Sequence, residues 1–277
     1  MFKTIKRLLR RGISWPIEAV LFYALAGLLK LMPPAVSSAV MGGLMGIIGP
    51  LTPFHRRSLF NIRFAMPELT ASEHRAIARR MWVNLGRVVG EYFHTSAIMA
   101  SDRLTIHGME HMDLLRGKGG FMISAHIGNW ELASFPGIKA GLPINCVYRP
   151  INNPFISALF KQRLEVLNRA YEKGVEGARG MASTIKNKEV FAMVVDQKLR
   201  EGEMLDFFGH KASTAVAHLK LAQKKDVPII LSRVVRTGGC RFKVLVTPLD
   251  LKGFDPESPS YVQDAATHIY SIIESWI

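Results

Sequence analysis

Residues 120–134 read GFMISAHIGNWELAS. GFMIS is a short, continuous apolar run, the pattern of a strand buried on both faces. It runs into His126, which has no place in an apolar core. Gly128 permits a tight turn, and Asn129 can cap the helix that follows. Glu131 then falls in the first helical turn, close to the strand end that carries His126. A carboxylate there can accept a hydrogen bond from one imidazole nitrogen, fix the tautomer and leave the other nitrogen as a general base. A lone histidine ending an apolar strand is more often structural, so the neighbouring segments decide the matter.

Further strand candidates lie on both sides: RLTIH, INCVYRP, EVFAMVVDQ, PIILSRVV and FKVLVTP. Helical segments are expected over 129–141, 153–172, 178–187, 212–224 and 260–277. Strands separated by helices predict an α/β fold, a mostly parallel sheet flanked by helices. INCVY runs into Arg149. FAMVV runs into Asp196, followed by Gln197 and Lys198. In open α/β sheets ligands bind outside the carboxyl ends of the strands. Three strands would thus bring an imidazole, a guanidinium and a carboxylate to one edge, which is hard to reconcile with three unrelated strand endings.

Several chemistries are missing from the sequence. It contains no G-x-S-x-G elbow, no H-E-x-x-H helix, no P-loop, no G-x-G-x-x-G fingerprint and no metal-type cysteine cluster. His107 and His111 are four apart, but Gly108 interrupts the helix face they would need, and they read as surface residues. A base without an enzyme nucleophile suits direct transfer: an acceptor hydroxyl gives up its proton and attacks an activated acyl group. A thioester is activated enough to need no metal, and no cofactor is expected.

Towards the N-terminus, Phe54 to about Ser101 is helical and amphipathic. Thr70–Glu73 is a capping box opening a helix with Ile77, Met81, Leu85 and Val88 at helical spacing. Arg79, Arg80 and Arg87 fall on other faces and read as solvated. The first sixteen residues, MFKTIKRLLRRGISWP, hold five Lys or Arg and no acidic residue. IEAVLFYALAGLLKLM and AVSSAVMGGLMGIIGPL follow, each a little short of the roughly 20 apolar residues of a full span. No small-x-small cleavage site follows, so residues 1–53 read as a retained membrane-attachment helix or hairpin, basic flank on the cytoplasmic side. A buried hairpin in a soluble core is the alternative. Gly42 and Gly46 are spaced for a close helix contact. Residues 54–277 form the catalytic domain.

Composition narrows the partners. Of 277 residues, 48% are hydrophobic, and 36 Lys and Arg against 22 Asp and Glu give a net charge of +14. That excess needs an anionic partner. A positive mean hydropathy and the lack of any nucleic-acid motif favour a membrane over nucleic acid. Two cysteines, Cys146 and Cys240, fit a reducing compartment rather than a disulfide framework.

The H-x4-E motif of His126 and Glu131 within ISAHIGNWELAS resembles that of the lysophospholipid acyltransferase superfamily. NLGRVVGE (84–91), VYRPINNP with Arg149, VVDQK with Asp196 and Lys198, and FFGHKASTAVAHLKLAQKKDVPII follow in the order of its lipid A biosynthesis branch. The resemblance covers nearly the whole chain from about residue 15. It implies acyl transfer from acyl carrier protein to a hydroxyl of a phosphorylated glycolipid, the lipid A precursor, at the cytoplasmic face of the inner membrane. It makes His126 and Glu131 the catalytic pair and Asn129, Arg149, Asp196 and Lys198 substrate-binding, with Arg149 on a phosphate or the oxyanion, Asp196 orienting a basic partner and Lys198 on a phosphate. The acidic carrier would dock on a basic helix around FKQRLEVLNRAYEK, with Lys161, Arg163, Arg169 and Lys173. The run KLREGEMLDFFG is more charged than the resemblance leads one to expect, and the chain stops at Glu-Ser-Trp-Ile inside a helical pattern where relatives commonly continue. Two other readings stay open: an acyltransferase acting on another lipid (a lysophospholipid, aminolipid or glycolipid), and a non-catalytic peripheral membrane protein on the same fold.

Overall fold

The computed structural model describes residues 10–157, 163–199 and 202–277. The strands are β1 (Leu104–His107), β2 (Gly120–Ser124), β3 (Ile144–Tyr148), β4 (Arg169–Glu172), β5 (Val190–Val194), β6 (Glu203–Phe207), β7 (His210–Thr214), β8 (Ile229–Gly238) and β9 (Arg241–Pro248). Seven of them form one sheet in the order β1-β9-β8-β2-β5-β3-β4, parallel within β8-β2-β5-β3-β4, with β9 antiparallel to β8. β6 and β7 form a separate hairpin. GFMIS is β2, the middle strand of the seven, and all five of its residues are buried. Phe121 and Ile123 pack with Phe191, Leu231, Ala265, Ile269 and Ile273 on one side of the sheet. Met122 joins Val190, Ile230, Val244 and Leu132 on the other. Two cores, one per face, are what a continuous apolar strand requires.

The helices are α1 (Trp15–Leu31), α2 (Pro34–Ile48), α3 (Pro53–Ala65), α4 (Ala71–Tyr92), α5 (Thr95–Met99), α6 (Phe135–Lys139), α7 (Val175–Lys186), α8 (Ala217–Lys225) and α9 (Tyr261–Glu274). The capping box forms: Thr70 accepts from the Glu73 amide and the Glu73 carboxylate accepts from the Thr70 amide at 2.7 Å. The most deeply buried face of α4 is not the expected aliphatic stripe. It carries Ala78, Trp82, Gly86 and Gly90, because α2 lies almost backbone to backbone against it. A Cβ on Gly86 would stand 2.2 Å from the Met41 carbonyl oxygen, and one on Gly90 2.5 Å from that of Ser37. Gly42 and Gly46 complete the seam from α2, facing Arg87 and Val83, so the expected close helix contact is made.

Helical turns flanking α1 and α2 lengthen the two apolar helices to Arg11–Leu31 and Pro34–Leu51, 21 and 18 residues, long and apolar enough to cross a membrane. A core hairpin would be mostly covered, yet only 17% and 28% of the two windows are buried. α1 is nonetheless held to the rest of the chain. The Asn153 amide donates to the Trp15 carbonyl and the Glu18 carboxylate, and a His94 ring nitrogen meets the Leu29 carbonyl at 2.9 Å.

Three expected helices differ. The one over 129–141 is a 3-10 turn, Trp130–Leu132, followed by the short α6. Within 153–172, residues 154–157 are helical as expected, but a 3-10 turn spans Arg163–Val166 and Arg169–Glu172 is strand β4. The free edge of β3 captures this segment: Arg169 pairs with Asn145, and the Asn168 side chain donates to Asn145 Oδ1 at 3.1 Å. The basic docking helix therefore does not form as expected. Arg169 and Lys173 lie on or beside an edge strand, and Lys161 lies outside the described residues. The start of the helix expected over 212–224 is instead β7, and the helix begins at Ala217.

Candidate active site

Register places the site. β2 and β5 run parallel with Ser124 opposite Val194, so His126 and Asp196, each two residues further on, leave the sheet level with one another. The Asp196 carboxylate then takes both donors of the histidine. Oδ2 accepts from the His126 backbone N–H at 2.9 Å and Oδ1 lies 2.7 Å from Nδ1. A carboxylate only accepts, so Nδ1 carries the proton and Nε2 keeps its lone pair. The Gln197 amide stands 3.2 Å from Nε2, placed to donate to that lone pair. Trp130 packs edge-on against the ring at 5.2 Å. The side chains of His126 and Asp196 are 27% and 19% exposed, so the base is reachable yet sheltered.

The carboxylate expected on the imidazole was that of Glu131. Asp196 takes its place, because a neighbouring strand in register delivers a side chain to Nδ1 more directly than a chain turning through Gly128. Glu131 lies half-buried in a 3-10 turn, Trp130–Leu132, with its amide bonded to Asn129 Oδ1 at 3.2 Å. Gly128 has φ +56° and a Cβ there would meet the Val234 carbonyl oxygen at 2.3 Å, so the turn presses directly onto β8. Arg149 follows the end of β3, exposed, on the strand beside β5, and Lys198 is exposed two residues past Asp196. The three strand endings thus share one edge.

Asn129, expected to touch the substrate, is fully buried. Its Oδ1 caps the turn and its Nδ2 donates to Glu91 at 2.9 Å, so it shapes the site from behind. Behind it lies a network that the sequence reading did not assign. Glu91, 0% exposed, also accepts from Ser38 on α2 at 2.6 Å and is ion-paired to Arg236 on β8. Asn84, two helical turns earlier, donates to the Gly128 carbonyl at 2.9 Å and accepts from Arg236 at 3.2 Å. Their seven-residue spacing puts both on one face of α4, and that periodicity was the available signal. Tyr270 on α9 donates to the Val195 carbonyl at 2.5 Å and so fixes the backbone just before Asp196. Burial raises the pKa of Tyr270, keeping it a donor.

The arrangement is a histidine with a carboxylate behind it, and among the described residues no side-chain nucleophile is bonded to the histidine. The sequence profile of the bacterial lipid A biosynthesis acyltransferases matches residues 2–277. The chain belongs to that family. It is an acyltransferase. No individually curated protein matches the sequence. Among solved structures, the 1-acyl-sn-glycerophosphate acyltransferase PlsC from Thermotoga maritima is 16% identical, covering 86% of this chain and 96% of that one with a TM-score of 0.38.

Proposed function

We propose that the chain transfers a fatty acyl group from acyl carrier protein to a hydroxyl of a phosphorylated lipid A precursor, at the cytoplasmic face of the inner membrane. Residues 1–53 attach it and residues 54–277 carry the chemistry. The observation that supports this best is the double clamp of Asp196 on His126, which leaves Nε2 as the ring nitrogen that can accept a proton at the carboxyl edge of the sheet.

In the step proposed, Nε2 takes the acceptor's proton as the oxygen attacks the thioester carbonyl carbon. The tetrahedral intermediate collapses with loss of the carrier's thiolate, the imidazolium returns the proton to that sulfur, and an ester and a free thiol remain. Asp196 stabilises the imidazolium while it exists. Glu131, the second member of the catalytic pair, supplies a half-buried carboxylate in the turn that follows His126. Arg149 serves the oxyanion or a phosphate, Lys198 a phosphate, and Asn129 holds the turn.

Mass spectrometry of the lipid product, after incubation with carrier-protein and coenzyme A thioesters of one chain length, tests the reading. The carrier-protein donor should give the acylated precursor with the higher kcat/KM. His126→Ala and Asp196→Asn should each lower kcat by roughly 10²–10⁴-fold, Glu131→Ala by a comparable factor, with the fold retained by circular dichroism. A folded His126→Ala protein with near-normal turnover would refute the mechanism.

A further inference from the structure

We propose that the arginine-lined pocket between α4 and β8 binds the phosphate of a lipid, beside the catalytic turn and on the side of the apolar hairpin. The pocket is an open cleft of about 390 Å³, lined mostly by apolar atoms of Ala76, Val83 and the side chains of Arg79, Arg80 and Arg87 on α4 and Arg236 on β8. On α4, Arg80 and Arg87 are seven residues apart and share a face, with Arg79 at its border, where the sequence alone suggested an ordinary solvated surface. Their surroundings argue otherwise. Arg236 is neutralised by Glu91. Among the described residues Arg79, Arg80 and Arg87 pair with no carboxylate. Arg87 is half-buried and fixed in place: it donates to Ser38 Oγ at 3.3 Å and contacts the Gly239 carbonyl at 3.5 Å. Three arginines without a carboxylate partner, whose stems line one cleft, can turn their guanidiniums onto a phosphate, whose oxygens accept paired N–H donors and whose charge in a monoester approaches −2.

Two neighbours point to a lipid phosphate. Asn84 lines the pocket and donates to the Gly128 carbonyl, which puts the pocket next to the turn that carries His126. On the other side Gly42 and Gly46 of α2 rest on Arg87 and Val83. The outer face of α2 presents Val40, Leu44 and Ile47, all exposed. A phosphate held here would leave acyl chains along the hairpin and the headgroup towards His126. The phosphate can come from the acyl acceptor or from a bilayer lipid, and only its assignment to the acceptor rests on the proposed function.

Phenylglyoxal labelling of the full chain in neutral detergent, mapped by mass spectrometry, reads occupancy without turnover. The probes are a phosphorylated glucosamine-disaccharide lipid, its dephosphorylated counterpart, and phosphatidylglycerol. Protection of Arg79 and Arg80 by the phosphorylated disaccharide alone supports the site and assigns the phosphate to the acceptor. Equal protection by phosphatidylglycerol supports the site and assigns it to a bilayer headgroup. Absence of protection by both phosphate-bearing lipids, or equal protection by the dephosphorylated one, overturns it. If the acceptor is the source, the Arg79→Gln/Arg80→Gln double variant should raise KM for the phosphorylated acceptor by roughly tenfold or more and leave that for the dephosphorylated one unchanged. An inactive enzyme whose arginines are still protected would refute the acyl-transfer reading while leaving the phosphate site standing.

Discussion

His218 on α8 is buried with neither ring nitrogen bonded to any described residue, and its ring packs edge-on to Phe121 at 6.1 Å. Burial lowers its pKa from 6.5 to about 4, so the folded chain keeps it neutral where the unfolded chain takes up a proton. The sign follows by linkage: stability is unaffected by this group above about pH 6.5 and falls as pH drops from there to about 4, by on the order of 3 kcal/mol. His218→Leu removes two unsatisfied nitrogens from an apolar site. It should raise Tm at neutral pH and flatten the decline below pH 6.5, as followed by thermal melts of both proteins across a pH series. Parallel melting curves would show that another group sets the acid limit. At this scale the sequence displayed the site's chemistry but not all its pairings. His126, Arg149 and Asp196 were legible as polar endings of apolar strands. That Asp196 rather than Glu131 would hold Nδ1 depends on the β2–β5 register, a contact across 70 residues that no local pattern encodes.

The segment Asn84–Glu91 on α4 shows how an element can serve chemistry it does not perform. One face supports the catalytic turn through Asn84 and Glu91, while Gly86 and Gly90 admit α2 to backbone contact. Glu91→Gln keeps the shape but leaves Arg236 with an uncompensated charge in a largely buried place. Removing one partner of such a pair costs roughly 3–5 kcal/mol. We expect a clearly lower Tm, and a fall in kcat exceeding any rise in KM, because the turn loses its support without losing a substrate contact. Steady-state kinetics and melts on one preparation check both, and unchanged kcat would confine the network to stability. Long elements with strong periodicity, α4 and α9 among them, were readable from the sequence, as were the six apolar strands. β4 was not, because RAYE has no apolar run of its own and becomes a strand only by meeting the open edge of β3. The β6–β7 hairpin was hidden for a similar reason: HKAST carries little apolar signal, and in EMLDF the apolar Met204, Leu205 and Phe207 are broken by Asp206.

Taken whole, the molecule presents most of its exposed large apolar side chains in the N-terminal part of the chain. Val20 and Leu21 on α1 are 68% and 67% exposed, and Leu28 on α1 and Leu44 and Ile47 on α2 are also uncovered. Arg11 stacks over Trp15 at 5.6 Å at the head of α1, an arrangement suited to a membrane interface, where Trp and basic side chains concentrate. A simple deletion of the hairpin is a poor test of its role, since α1 and α2 also supply the partners of His94, Asn153 and Glu91. Charges placed on the outward residues separate attachment from folding. The combination Val20→Glu, Leu21→Glu, Leu28→Glu, Leu44→Glu and Ile47→Glu alters only exposed side chains and should leave the fold intact. An ionised carboxylate near the centre of a spanning helix costs about 2.5–3.5 kcal/mol, and at alkaline pH all five are ionised. The unaltered protein should therefore stay with membranes through high-salt and alkaline washes, because apolar contact holds it and salt weakens only the contribution of its positive charge. The five-fold variant should be released by the alkaline wash and remain folded in the soluble fraction. Equal retention of both proteins would place the attachment elsewhere, and an unaltered protein found soluble without detergent would remove the membrane from this account.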